Sequence, residues 1–324
     1  MLRLNVALLL SLATLCAPVF GQGASPARPG TLNYVEGQAS LEGRQLSPRA
    51  IGHAELHPGE FLATANGKAE ILLTPGVFLR LGNDSTVKMI APDLTHTEVQ
   101  LTRGRASVEA DQLYPQNDIL INLNNGQVQL LKNGLYEFDA SNGTVRVFDG
   151  KAAVYKTIAP QANEKPIDVK SGKQLTLANA SIKPISFDRK RSEDDLYNWS
   201  SLRSEYLGED NIDLAYQYAG APGFAPGWFW DSAAYDYTWL PGDGLFWSPF
   251  GYGFYSPYYI YGGGYIYGGY HGGYGGRPGY PNRGGIARGS VTSSHSAGNF
   301  GGGGFHGSAV GGGFHGGGGG GGHR

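Results

Sequence analysis

The chain has 324 residues, a net charge of −2, one cysteine and 53 glycines. A charge so close to neutral excludes electrostatic steering onto nucleic acid or an anionic membrane, and a single cysteine excludes a disulfide framework. The balance is uneven along the chain: no Asp or Glu follows Asp243, whereas Arg277, Arg283, Arg288 and Arg324 do.

Residues 1–21 have the pattern of a secretory signal peptide. Arg3 supplies the positive start, Val6 opens an apolar run broken only by Ser11 and Thr14, and Val19-Phe20-Gly21 offers a cleavage site. The run is much shorter than the roughly 20 residues that cross a bilayer, so no membrane span is expected in the mature chain. A lipoprotein signal needs a small residue directly before its cysteine, and Leu15 precedes Cys16. Cys16 therefore leaves with the leader, and the mature chain has no thiol nucleophile. The expected location is the periplasm or cell surface of a bacterium.

Residues 22–30 form a linker of small residues and prolines. From residue 31 to residue 180 short β-patterned segments alternate with turn residues. Strands are expected at 32–35 and 39–41 around Gly37, at 61–65 ending in Asn66-Gly67, and at 68–73 before the Pro75-Gly76 turn. Val77, Leu79 and Leu81 alternate with Phe78 and Arg80, and residues 86–90, 97–101 and 106–110 continue the pattern. Asn125-Gly126 is a strong hairpin signal, and Asn133-Gly134, Asn142-Gly143 and Asp149-Gly150 add three further turns. A last pair, 167–169 and 174–177, flanks Gly172.

Strands spaced about eight to twelve residues apart predict an all-β domain, short-stranded and either solenoid-like or a jelly-roll sandwich. Parallel α/β is excluded because no helical stretch separates the strands. An outer-membrane barrel needs spans of about 9–11 residues, longer than these.

The order of motifs carries a resemblance. Leu56-His-Pro-Gly-Glu-Phe-Leu-Ala-Thr64 is followed by Gly67-Lys-Ala-Glu-Ile-Leu-Leu73, Val77-Phe-Leu-Arg-Leu81, Ser85-Thr-Val-Lys-Met89 and Gly104-Arg-Ala-Ser-Val108. Gly143-Thr-Val-Arg-Val-Phe-Asp-Gly150 and Val169-Lys-Ser-Gly172-Lys-Gln-Leu-Thr-Leu177 come later. The series resembles the FecR-type periplasmic domain over residues 32–177. Glu60 stands where that family has Asp, and Asn83-Asp84-Ser85 where it has Asp-Gly-Ser; both keep turn chemistry. Signalling members carry a cytoplasmic anti-sigma region and a transmembrane helix before the domain, and here only the leader precedes it. The resemblance implies an exported β module of the kind used in envelope proteins and in envelope signal relay.

Residues 188–208 switch to a helical period. Leu196, Trp199, Leu202 and Tyr206 are expected on one face against the β domain, with a capping box at Ser192-Glu-Asp-Asp195 and a stop at Gly208. Residues 220–260 crowd Trp228, Trp230, Trp239 and Trp247 among Pro-Gly turns. This segment is expected to dock on the β domain as an irregular ribbon; the alternative is a glycan or peptidoglycan platform that stacks on sugar rings. Residues 261–324 are Gly/His-rich, a composition that cannot offset backbone ordering by burial. Their histidines match no zinc spacing.

No nucleophile elbow, zinc-protease helix or phosphate loop is present. His53 and His57 flank a turn signal and are expected at the surface. Arg103 and Arg105 are expected on one side of a strand, as a spot for a carboxylate partner. The expected protein is non-enzymatic, without cofactor or metal. Its partner would be an envelope protein or polymer, not nucleic acid.

Overall fold

The chain divides into two units, Met1–Gly276 and Arg277–Arg324. The computed structural model describes residues 24–264 apart from Asn125 and residues 179–182. The leader, the tail beyond Gly264 and the Asn125 turn position lie outside the described residues.

The fold is all-β, as the turn spacing predicts. β1 (Leu32–Leu41) and β3 (Phe61–Leu72) form a long antiparallel ribbon, with β2 (Arg44–Gln45) paired to the end of β1. Gly37 stands opposite Gly67 midway along the ribbon. Gly37 has a φ of +64°, and a Cβ there would meet the Asn66 carbonyl oxygen at 2.3 Å. The glycines expected to end strands instead form an irregularity through which both strands continue.

The two halves of β3 pair in different directions. Its C-terminal half joins β4 (Val77–Leu81), and the layer continues through β7 (Arg105–Ala110), β10 (Gly134–Asp139), β11 (Thr144–Val147), β14 (Lys173–Thr176) and β15 (Ile185–Ser186). Its N-terminal half joins β5 (Thr86–Pro92). That layer continues through β6 (His96–Arg103), β8 (Asp118–Leu123), β9 (Gly126–Leu130), β12 (Lys151–Tyr155) and β13 (Ile167–Lys170). Every pairing is antiparallel except β6 with β8.

Inward side chains from both layers meet in one core. Leu79, Val108, Tyr136 and Val145 come from the first layer, and Val87, Val99, Ile121, Val128 and Val154 from the second. Burying each such side chain contributes about 1.5–3 kcal/mol, which makes this sandwich-like core the main source of stability.

After β15 the chain forms α1 (Asp195–Gln217), then the hairpin of β16 (Gly227–Asp231) and β17 (Asp236–Leu240). A second hairpin of β18 (Leu245–Trp247) and β19 (Gly253–Tyr255) precedes the short α2 (Pro257–Tyr261). The aromatic segment is thus two regular hairpins rather than an irregular ribbon. No helix among the described residues is long and apolar enough to cross a membrane.

Candidate functional site

Strand alternation turns Glu70, Arg80, Ser107, Glu109, Glu137 and Arg146 of the first layer away from the core. Register then lines most of them into a row. Glu70 stands opposite Arg80, Arg80 opposite Ser107, Ser107 opposite Glu137, and Glu137 opposite Arg146. On a bare sheet this row would be solvated. Here Glu70, Arg80 and Glu109 are 0% exposed, because α1 and the first hairpin lie over them.

The cover is built from polar contacts. Arg80 donates to Glu70 at 2.6 Å and also to Glu109. Arg203 of α1 donates to Glu70 at 3.1 Å and to Asp236 of β17 at 2.8 Å. Ser204 donates to Glu109 at 2.6 Å, and the Ser200 and Ser107 hydroxyls meet at 2.8 Å. Asn33 of β1 donates to Glu70 at 2.9 Å and accepts from the Tyr237 backbone at 2.8 Å. Further along the row, Glu137 accepts from Arg105 at 2.6 Å and from Arg146 at 2.7 Å, and Arg105 also binds Asp194, the N-cap of α1.

Ionisation follows from this geometry. Burial pushes the Glu70 carboxyl up, but Arg203 and Arg80 together outweigh it and hold it below its ordinary value. Burial likewise opposes charge on Arg203, and Glu70 and Asp236 more than compensate, so it stays a guanidinium. Asp111, one residue past β7, has no such cation to itself. Burial first and then the neighbouring Glu109 push its carboxyl well above the carboxylate range, against the pull of Arg80. Its side chain also shares a hydrogen bond with Glu109, which favours the protonated form.

The buried face of α1 differs from the expected one. Leu196 and Trp199 are buried, but Leu202 and Tyr206 are 43% and 46% exposed. The inward stripe runs through Trp199, Ser200, Arg203, Ser204, Leu207, Asn211 and Leu214. Half of that stripe is polar because it meets a charged row, so apolar periodicity misplaces the face. Gly208, expected as the stop, lies inside the helix, where a Cβ would sit 3.4 Å from the Gly253 carbonyl oxygen. The cap is Asp194, whose side chain accepts from the Tyr197 backbone.

The hairpins are fastened to the same helix. Asn211 donates to the Trp239 carbonyl at 2.8 Å and to the Tyr255 carbonyl at 3.1 Å, and accepts from the Tyr255 backbone at 2.7 Å. One side chain thus ties a strand of each hairpin to α1. Trp239 is 0% exposed among Leu72, Phe78 and Phe254. Trp228 meets the Phe78 ring edge-on at 5.0 Å, and Trp230 packs against Tyr235 and Tyr237. Trp247 is 41% exposed. Trp239 is closed off inside this contact, whereas Trp228 and Trp230 are half-buried and Trp247 is exposed.

Arg103 and Arg105 also separate. The chain crosses from the second layer to the first at Gly104, whose φ is +72°, so the two arginines belong to different strands. Arg105 is occupied by the chain's own carboxylates; Arg103 is exposed, 3.9 Å from Asp84. His57 lies 3.8 Å from Glu55 at the surface, and His53 is exposed. Among the described residues no cluster of three or more His, Cys, Asp or Glu could hold a metal. The residues that composition did not flag are Glu70, Arg80, Glu109, Arg203 and Asp236. For Glu70, Arg80 and Glu109 the one sequence signal is a charge at an outward position of an otherwise apolar strand.

The class defined by these features is an all-β sandwich capped on one face by its own helix and aromatic hairpins. No family model matches the chain, and no curated protein matches it. Two crystal structures of provisionally designated anti-sigma factors from Parabacteroides distasonis are similar to it in part. One aligns at a TM-score of 0.34 and 14% identity over 41% of this chain and 62% of that chain. The other aligns at 0.33 and 13% identity over 40% of this chain and 60% of that chain. The chain spans about three fifths of the length of those proteins.

Proposed function

We propose that this is a non-catalytic, exported envelope protein whose FecR-like β domain serves as an interaction or structural module. The observation that carries the reading is the fate of its charged row. Glu70, Arg80, Glu109, Arg203 and Asp236 hold the chain's own helix and hairpin against the sheet, where no substrate reaches them. Rigid capping of one face leaves the opposite face and the strand edges as the surfaces for contact. The leader pattern at residues 1–21 and the motif series from Leu56 to Leu177 support export and the FecR-type assignment.

The test is fractionation of a Gram-negative host that produces the chain with its leader. A mature protein beginning near Gln22 and sedimenting with the cell envelope is expected. A full-length chain in the cytoplasm, or a mature chain recovered wholly as free monomer, would sink the proposal.

A further inference from the structure

The helix that caps the sheet has an open side of its own. α1 turns one stripe inward onto β7 and the hairpins. On the other side Leu202, Tyr206, Glu209, Asp213 and Tyr216 are all exposed, Tyr216 by 58%. Their spacing alternates four and three residues, the heptad repeat that draws a nearly straight seam along a helix. From Leu202 to Tyr216 the seam is roughly 21 Å long at the usual helical rise. It runs apolar, aromatic, acidic, acidic, aromatic.

Nothing in the surrounding sequence neutralises its centre. Every charged side chain from residue 204 to residue 264 is acidic. The one cation of α1, Arg203, is turned inward onto Glu70 and Asp236. Glu205, one turn before Glu209, accepts from the Tyr252 hydroxyl at 3.3 Å. Partial burial, and then the like charges of Glu205 and Asp213, raise the Glu209 carboxyl above its ordinary value, with no cation opposing them.

We infer that this seam docks a basic amphipathic helix of another protein, with Arg or Lys opposite Glu209 and Asp213 and apolar side chains opposite Leu202, Tyr206 and Tyr216. The repeat sets the shape of the occupant, since a second helix follows a heptad seam along its length. Charge sets its chemistry. Two carboxylates without a cation complement a basic centre, and the tyrosine rings on either side offer faces to a guanidinium. Nucleic acid and anionic lipid are repelled by the same carboxylates. Pairing two copies of the seam brings acid against acid at its centre, whichever way the helices run. Among the described residues the carboxylates do not converge on a metal site.

The inference rests on the interaction-module reading and adds the outer side of the cap to its contact surfaces. Fluorescence anisotropy of the full chain with two labelled 18-residue Leu/Ala helices tests it, one carrying Arg and the other Glu at the central seam positions. The Arg peptide should bind, more weakly as salt is raised, and the Glu peptide should not. Glu209→Lys with Asp213→Lys should weaken binding at least tenfold, Tyr206→Ala with Tyr216→Ala about fivefold, and Asp93→Lys, at an exposed acid of the second layer, not at all. Each variant should keep a native near-ultraviolet spectrum. Failure of the Arg peptide to bind, or unchanged binding by the natively folded charge-reversed variant, overturns the inference. So does an equal loss in Asp93→Lys, which would mark diffuse attraction. Dimerisation of the full chain that the double reversal abolishes would assign the seam to a second copy and overturn it too. None of these failures touches the module reading, which stands or falls on fractionation.

Discussion

Arg203 on α1 reaches Glu70 on β3 at 3.1 Å across 133 residues of chain, with the two side chains 5% and 0% exposed. The same guanidinium holds Asp236 at 2.8 Å, so one cation joins the sheet, the helix and the first hairpin. Water cannot replace it at that depth, which makes it the point where the cap is most easily undone.

Replacing that cation tests the arrangement directly. Arg203→Ala leaves Glu70 and Asp236 as buried carboxylates short of a partner, a change that costs about 3–5 kcal/mol. In urea denaturation the midpoint should fall by that equivalent, and the helical signal should be lost before the β signal. A variant as stable as the parent would show that the network contributes little.

The carboxyls without a cation of their own predict a pH dependence. Burial, and then Asp236 and Asp231 on the facing hairpin, push Asp210 of α1 up to about 7, with Glu209 adding to them and Arg203 opposing. Asp111 is raised in the same direction. An unfolded Asp titrates near ~3.9, so between that value and the folded pKa the native state binds more protons than the unfolded chain. The stability contributed by Asp210 is full below the unfolded value and is lost as pH rises through about 7. Stability from this source should fall from pH 5 to pH 8. Asp210→Asn should flatten that slope, and Asp111→Asn should stabilise the protein at pH 8. Denaturation midpoints across that range measure both, and a variant with an unchanged slope and midpoint contradicts the assignment.

The tryptophans divide sharply in the structure and should divide in energy. Trp239→Ala empties a fully enclosed site between the hairpins and β4 and should cost about 3–5 kcal/mol. Trp247→Ala, at a ring 41% exposed, should change stability by no more than ~0.5 kcal/mol. Thermal denaturation of the two variants side by side checks the contrast, and equal losses would refute it.

The β domain is the part most legible in the sequence, because Val77, Leu79 and Leu81 alternate with Phe78 and Arg80 as a half-buried strand must. What alternation cannot say is that the outward set is covered as well. Arg80 and Glu109 look like solvated positions until α1 is placed over them, and nothing local to either residue announces a helix more than 80 residues later. Gly37 and Gly67 show the converse problem. Each reads alone as a turn, and only their pairing reveals one bent ribbon. Gly104 hides a change of layer, so Arg103 and Arg105 look like neighbours and are not.

Gly208 carries the last consequence of that distance between local pattern and tertiary contact. Its place inside α1 is not one that only glycine tolerates, since its φ is not in the left-handed region and a Cβ would sit 3.4 Å from both the Gly253 oxygen and the Tyr252 Cβ, which is ordinary contact. Alanine fits there and removes the entropic cost of a helical glycine, so Gly208→Ala should stabilise the protein by about 0.5–1 kcal/mol. Gly208→Leu would drive its branches into the β19 backbone and should cost about 1–3 kcal/mol by overpacking. Equilibrium denaturation of the pair decides between this geometry and a helix stop, because a glycine that ended the helix would make alanine the damaging change.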